Sequence, residues 1–284
     1  MDRRTKNVEI FKDSVELMQD SSRLQQSVEE SVNKQKLYFE AEDIAVPESK
    51  GLSCKTVVST KRSFEAAAVY ARAGKKVAVL NFASSTNPGG GVTRGSSAQE
   101  ECLCRCSTLY RCLDIDMMWN KFYMPHREAG NPLYNDDCLY TPGVTVFKSD
   151  ISFPERMDEK DWYQVDVITC AAPNLRSMPS NFMNPFAGTA PSDIEEADLY
   201  GLHVKRLERV FRVAAANGAE VLILGAFGCG AFCNPPEVVA RAFKVVQKKY
   251  ASYFETIEYA IFCGSHETQN YDAFCEAFGA EKKY

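Results

Sequence analysis

Twice in this chain a strand-sized apolar run ends in a glycine-rich loop and then enters a helix. The first run is Val77-Ala-Val-Leu80, followed by Gly89-Gly90-Gly91 and a helix from about Ala98. The second is Glu220-Val-Leu-Ile-Leu224, followed by the loop Gly225 to Pro236 and a helix from Glu237 to Tyr250. Strands this apolar belong to mostly parallel sheets with helices on both faces. In such sheets ligands bind beyond the carboxyl ends of the strands, where both glycine loops would fall.

The remaining pattern extends the same alternation. Val8 to Lys36 is polar, with Val8, Phe11, Val15, Leu17 and Met18 near helical spacing, which predicts one or two amphipathic helices. Lys55 to Ser59 reads as a strand and Ser63 to Ala73 as a helix stopped by Gly74. Met118 to Asn135 is aromatic and reads as irregular, and Leu139 to Phe147 reads as strands or a turn around Pro142-Gly143. Val165 to Ala172 is a buried strand, Ala197 to Asn217 a long helix ended by Gly218, and Ile257 to Phe262 a further strand. This organisation predicts a helical extension over residues 1–50, packed on a main α/β domain over residues 51–284. A chain of this length can bury about 75% of its unfolded surface.

Charge and cysteine content exclude several classes of function. A formal charge of −5 lacks the basic footprint of broad nucleic-acid capture, so no direct DNA binding is expected. The first residues carry charge without an apolar core, and the longest apolar runs are strand-sized, so no signal peptide or membrane span is expected. A cytoplasmic protein is the expectation. Cys102, Cys104 and Cys106 at i, i+2 and i+4 diverge on a helix, and neither they nor Cys229 and Cys233 complete a zinc-binding set. The eleven cysteines are therefore read mainly as reduced core residues, with no metal site. His126, His203 and His266 are scattered and read as structural or surface residues.

Each glycine loop admits a local and a chemical reading. Ser97-Ala-Gln-Glu100 fits a capping box, and the same device fits Ser96 to Gln99. Either accounts for an acid in the first helical turn without a ligand. Glu101 stands about 100° further around the helix and is left without a capping role. Side-chain-free backbone at Gly89, Gly90 and Gly91, next to paired acids, suits a sugar- or phosphate-handling site. Gly225-Ala-Phe-Gly-Cys-Gly-Ala-Phe232 suits a nest of N–H groups around a phosphate or diphosphate, with Phe227 and Phe232 placed to stack or wedge. It is equally a tight strand-to-helix turn. The Lys-Ser/Thr of a P-loop and the spacing of a dinucleotide fingerprint are both missing.

Three glycines, seven residues and then Gln99-Glu100-Glu101 resemble the signature of poly(ADP-ribose) glycohydrolases of the bacterial type. The resemblance extends through Asn81-Phe-Ala, Asn87-Pro-Gly, Cys102 to Tyr110, Tyr140 to Phe147, Val165 to Asn174 and Gly225 to Gly230, roughly Val57 to Phe262. It implies a macrodomain-like three-layer α/β/α sandwich with a mostly parallel mixed sheet. It also implies hydrolysis of ribose–ribose bonds at polymer ends with release of ADP-ribose. By resemblance Glu101 is the catalytic acid/base, Glu100 orients the ribose hydroxyls, and Gln99 positions both acids. Asn81, Asn87, the triple glycine and Val92 are implied around the scissile ribose. Gly225, Ala226, Gly228, Cys229, Gly230, Ala231 and Phe232 are implied around the diphosphate, with Phe227 near the distal ribose. The implied partner is an ADP-ribose polymer or an ADP-ribosylated protein, and no cofactor is implied.

An acid role needs a proton on Glu101, whereas a helix start favours the carboxylate. The bound diphosphate and exclusion of water are expected to raise its pKa. Two other classes stay open: a reader that binds ADP-ribose without turnover, and a hydrolase of mono-ADP-ribosyl groups or small ADP-ribose derivatives.

Overall fold

Alternation inside the apolar runs builds the centre of the molecule. The computed structural model describes residues 2–49, 51–182, 184–264 and 267–283. Two helices, α1 (Arg3–Asp20) and α2 (Ser22–Lys34), precede a short strand, β1 (Lys36–Tyr38). Then come β2 (Lys55–Ser59), α3 (Ser63–Ala71), β3 (Val77–Phe82) and α4 (Gln99–Cys106). The short helices α5 (Leu109–Leu113) and α6 (Asp116–Met118) lead through a π-helical turn, Trp119–Tyr123, into α7 (Met124–Ala129). The chain continues with β4 (Cys138–Val146), β5 (Tyr163–Cys170), α8 (Glu196–Ala216), β6 (Val221–Leu224), α9 (Pro236–Tyr250), β7 (Thr256–Ala260) and α10 (Gln269–Phe278).

Among the described residues seven strands form one sheet in the order β1-β4-β5-β3-β6-β7-β2. β5, β3, β6, β7 and β2 run parallel, while β4 and β1 add antiparallel at one edge. Residues along β3 alternate between two cores, as the pleat requires. Val77 and Val79 join Phe64, Leu103 and Phe122 on one face, whereas Ala78 and Leu80 join Phe211, Phe243 and Phe274 on the other. The result is a three-layer α/β/α sandwich on a mostly parallel mixed sheet. Among the described residues no helix is long and apolar enough to cross a membrane.

Both N-terminal helices predicted from the sequence form, and they dock on the sheet through polar anchors. The ammonium of Lys148, 1% exposed, donates to Ile10 O (2.8 Å) and Ser14 Oγ (2.6 Å), and pairs with Asp13 (2.6 Å). β1 hydrogen-bonds antiparallel to β4, with Lys36 opposite Tyr140. Residues 1–50 thus contribute a strand to the common sheet.

Three readings of local structure need correction. Met118 to Ala129 is helical, ended by Gly130 at φ +57°. Its inward residues Met118, Phe122, Tyr123 and His126 span a π turn, and that extra residue hides the 3.6-residue period. Leu139 to Val146 lies in one strand, with the register shifting at Pro142-Gly143 between Thr141 and Val144. No capping box forms at the start of α4: the N-cap is Ala98, without a side-chain bond. Glu100 turns inward instead, toward the end of β3.

Candidate active site

A cavity of about 750 Å³ opens beyond the carboxyl ends of β3, β5, β6 and β7. The β3–α4 loop supplies its acidic wall. α4 begins where the triple glycine turns back, so Glu100 and Glu101 enter from the first helical turn. Both are buried, at 3% and 7% exposure. Glu100 accepts bonds from Asn81 Nδ2 (3.2 Å) and the Ser84 N–H (2.7 Å), one on each oxygen. Glu101 Oε1 accepts from the Gly91 N–H at 2.9 Å. Its second oxygen, Oε2, is buried with no hydrogen-bond partner among the described residues.

Close approach of backbone explains one glycine of the three. Gly90 sits at φ +58°, and a Cβ there would lie 2.6 Å from Glu101 Oε1 and 3.1 Å from Glu100 Oε2. Gln99 fixes the helix start. Its Oε1 accepts from the Phe82 N–H (2.9 Å), and its Nε2 donates to Leu80 O (2.8 Å) and Ser63 Oγ (3.0 Å), tying α4 to β3 and α3.

Burial pushes the Glu101 carboxyl above its ordinary value, against the pull of the Gly91 N–H. Glu100 is pushed up further, by burial first and by the neighbouring Glu101 charge second. The upward shift expected from a bound ligand is therefore already present from burial alone.

The second glycine loop forms the opposite wall. Gly228, at φ +78°, packs so closely that a Cβ would stand 2.5 Å from Ala172 Cβ and 2.6 Å from Asn234 Nδ2. The N–H groups of Gly230, Ala231 and Phe232 have no backbone acceptor among the described residues, as a phosphate nest requires. The Arg176 guanidinium lies 5.7 Å from the Phe232 ring and adds positive charge there.

Of the predicted site residues, Gly90, Gly91, Gln99, Glu100, Glu101, Ala226, Gly228, Gly230, Ala231 and Phe232 line the cavity. The others support it from behind. Asn81 is fully buried and holds Glu100. Gly89 backs onto Tyr110 and Cys104, Val92 is in the core, and Gly225 packs against Ala260 O. Cys229 directs its thiol at Phe227 O (3.8 Å). Asn87 turns away, donating to Asn184 Oδ1 (2.9 Å) and accepting from Arg127 Nη2 (2.6 Å). Phe227 is a correction. Its ring is fully enclosed, packed on Phe82 and His203 at 5.8 and 6.3 Å between centroids, because the turn after β6 directs it into the core.

Several lining residues carried no local signal. Arg3, Arg4 and Asn7 come from α1, with Asn7 Nδ2 donating to Gly95 O at 3.1 Å. Arg62 and Ser63 come from the start of α3, Asp150 from the loop after β4, and Phe262 from the segment after β7. His126 and His203 are structural: His126 bonds Phe122 O and Asn135, and His203 bonds Asn234 Oδ1 at 2.8 Å. Burial pushes His203 down to about 4. His266 lies outside the described residues. Among the described residues no group of three or more His, Cys, Asp or Glu side chains is placed to hold a metal ion.

Comparison with known proteins gives a consistent picture. The family model for the catalytic domain of microbial-type PARG matches residues 6–149. The poly(ADP-ribose) glycohydrolase of Thermomonospora curvata is similar over 97% of this chain and 100% of its own, at 28% identity and a TM-score of 0.83. The structure of that enzyme bound to the inhibitor ADP-HPD is similar at 29% identity and a TM-score of 0.81, covering 96% of this chain and 99% of that one. The poly(ADP-ribose) glycohydrolase of Deinococcus radiodurans in complex with ADP-ribose is similar at 27% identity and a TM-score of 0.75, over 88% of this chain and 96% of that one. No curated protein sequence matches.

Proposed function

The chain belongs to the microbial-type poly(ADP-ribose) glycohydrolases, and we propose that it releases ADP-ribose from polymer ends with Glu101 as its acid/base. One observation carries the assignment of that residue: the unpartnered Oε2 of Glu101, buried at the cavity wall while Oε1 is fixed by Gly91. Glu100 has both oxygens engaged and acts by placing the site.

Cleavage of a ribose–ribose bond passes through an oxocarbenium-like state. Protonated Glu101 gives its proton to the departing ribose oxygen as the glycosidic bond breaks. The resulting carboxylate then takes a proton from the water that attacks the anomeric carbon, restoring the acid. Burial supports the first step by holding the proton on Glu101. In this reading the diphosphate lies on the N–H groups of Gly230 to Phe232, near Arg176. Residues 1–50 act as a layer of the domain rather than a separate unit, since α1 closes one side of the cavity. The cytoplasmic location, the polymer or ADP-ribosylated protein as partner, and the absence of direct DNA binding belong to the same proposal.

The test is incubation with poly(ADP-ribosyl)ated protein and chromatography of the products, for wild type and Glu101→Gln. Free ADP-ribose from wild type and almost none from the variant is the expected result. Tight ADP-ribose binding without release by wild type would make the protein a reader.

A further inference from the structure

The cavity contains one buried carboxyl group that this chemistry leaves unused. Asp150, in the loop after β4, is 7% exposed and lines the cavity. Its Oδ2 accepts from the Phe64 N–H at 3.0 Å, which caps the first turn of α3. Its Oδ1 is buried and has no hydrogen-bond partner among the described residues. Capping α3 uses one oxygen and leaves the other unexplained. An acceptor left unpaired in a buried site costs about 1–3 kcal/mol, so one on a cavity wall is suited to a donor that arrives with the ligand.

The surroundings indicate the kind of donor. The Arg62 guanidinium lies 3.8 Å over the ring of Phe262, which is 55% exposed, and both line the cavity. Arg62 also reaches Ser152 Oγ (3.5 Å), two residues beyond Asp150. A flat cation–aromatic pair is a surface on which a nucleobase stacks.

Strand order places this platform relative to the reaction. Glu100 and Glu101 stand over β3, the phosphate-type loop follows β6, Phe262 follows β7 and Arg62 follows β2. These four strands are consecutive in the sheet. At a strand spacing of about 4.8 Å the platform is therefore about 14 Å from the acids across the sheet. An ADP-ribose unit with its scissile ribose at Glu101 and its diphosphate on the Gly230–Phe232 loop brings its base to this end.

We propose that Asp150 selects the base of the substrate, its Oδ1 accepting a hydrogen bond from the exocyclic amine of adenine stacked on the Arg62–Phe262 pair. This rests on the ADP-ribose reading of the cavity. A carboxylate only accepts, so it favours a 6-amino purine and opposes a 6-oxo purine, which presents an acceptor at the same position. Asp150 is thus a specificity-determining residue, distant from the bond that breaks.

Calorimetric titration of the full chain with ADP-ribose and with its hypoxanthine analogue, inosine diphosphate ribose, tests this in wild type and Asp150→Asn. Asparagine keeps one oxygen for the Phe64 N–H and turns a donor toward the base. Wild type should prefer ADP-ribose by about 10-fold or more, and Asp150→Asn should lose or invert that preference. On polymer the variant should raise KM at nearly unchanged kcat, as loss of uniform binding does. Equal affinity of wild type for the two nucleotides overturns the proposal, whether or not the variant folds. So does a preference that survives in Asp150→Asn, because Asp150 would then be a helix cap alone. Failure of wild type to bind either nucleotide is a different result, and it sinks the ADP-ribose reading itself.

Discussion

The two glycine loops flank one cavity yet meet it by opposite means. The β3–α4 loop curls around side chains, so that Gly91 and Ser84 donate to buried carboxylates. The β6–α9 loop directs its large side chain, Phe227, into the core and leaves backbone N–H groups at the surface. Behind the first loop stand Asn81 and Gln99, and behind the second stand His203 and Asn234, whose Nδ2 donates to Gly228 O (3.0 Å) and Pro173 O (2.7 Å). The contrast separates duties. One loop fixes an acid where a proton must move, and the other provides donors where an anion must rest. Changes in the first should therefore act on kcat, and changes in the second on binding.

The sharpest way to break this division is to remove the acid itself. Glu101→Gln should lower kcat by about 10³-fold, within the range of a lost acid/base group, at nearly constant ADP-ribose affinity. A comparable loss of affinity would mean that Glu101 is chiefly a binding residue. Gly90→Ala comes next. Its methyl group would overlap Glu101 Oε1 at 2.6 Å, and a displacement of that carboxyl of about 1 Å costs about 100-fold in rate. Steady-state kinetics should show the loss in kcat, and an effect confined to KM would contradict the role given to the first loop. Gly228→Ala is the matching change in the second loop, with overlap at Ala172 and Asn234 and a positive φ. Its expected effect is ADP-ribose binding weaker by about 10-fold, the scale of one or two lost hydrogen bonds, with kcat altered far less.

How much of this was legible in the sequence depends on how local each signal is. Val77–Leu80 and Val221–Leu224 are buried on both faces, so the continuous apolar run announced them. β1, three residues long, and α10 carried no such pattern and were not predicted. In Met118–Ala129 the π turn broke the periodicity that would have shown a helix. The acids and glycines of the first loop were visible because the loop and the start of α4 are contiguous. Phe227 was not legible as a core residue, since its direction depends on how the chain leaves β6. Arg3, Asn7, Arg62, Asp150 and Phe262 reach the cavity from five separate segments, and only the sheet order brings them together.

The smallest expected effect separates the loops by pH instead of by rate. Residues 225–236 hold no carboxylate, whereas the first loop meets two buried ones. Burial, and then the charge of Glu101, raises the folded-state pKa of Glu100 above 4.5. An acid shifted in that direction contributes stability that is complete below its unfolded value and is lost as pH rises through its folded value. Glutamine at position 100 cannot ionise. The melting temperature of wild type relative to Glu100→Gln should therefore fall as pH is raised above the ordinary carboxyl value, by about 2–4 °C for each kcal/mol involved. The corresponding difference between wild type and Gly228→Ala should stay flat over the same range. A wild-type advantage over Glu100→Gln that instead grows with pH would show that the Asn81 and Ser84 donors outweigh burial and hold the carboxylate charged. In that case Glu100 would present a fixed negative charge beside the reacting ribose, and the proton of the pair would reside on Glu101 alone.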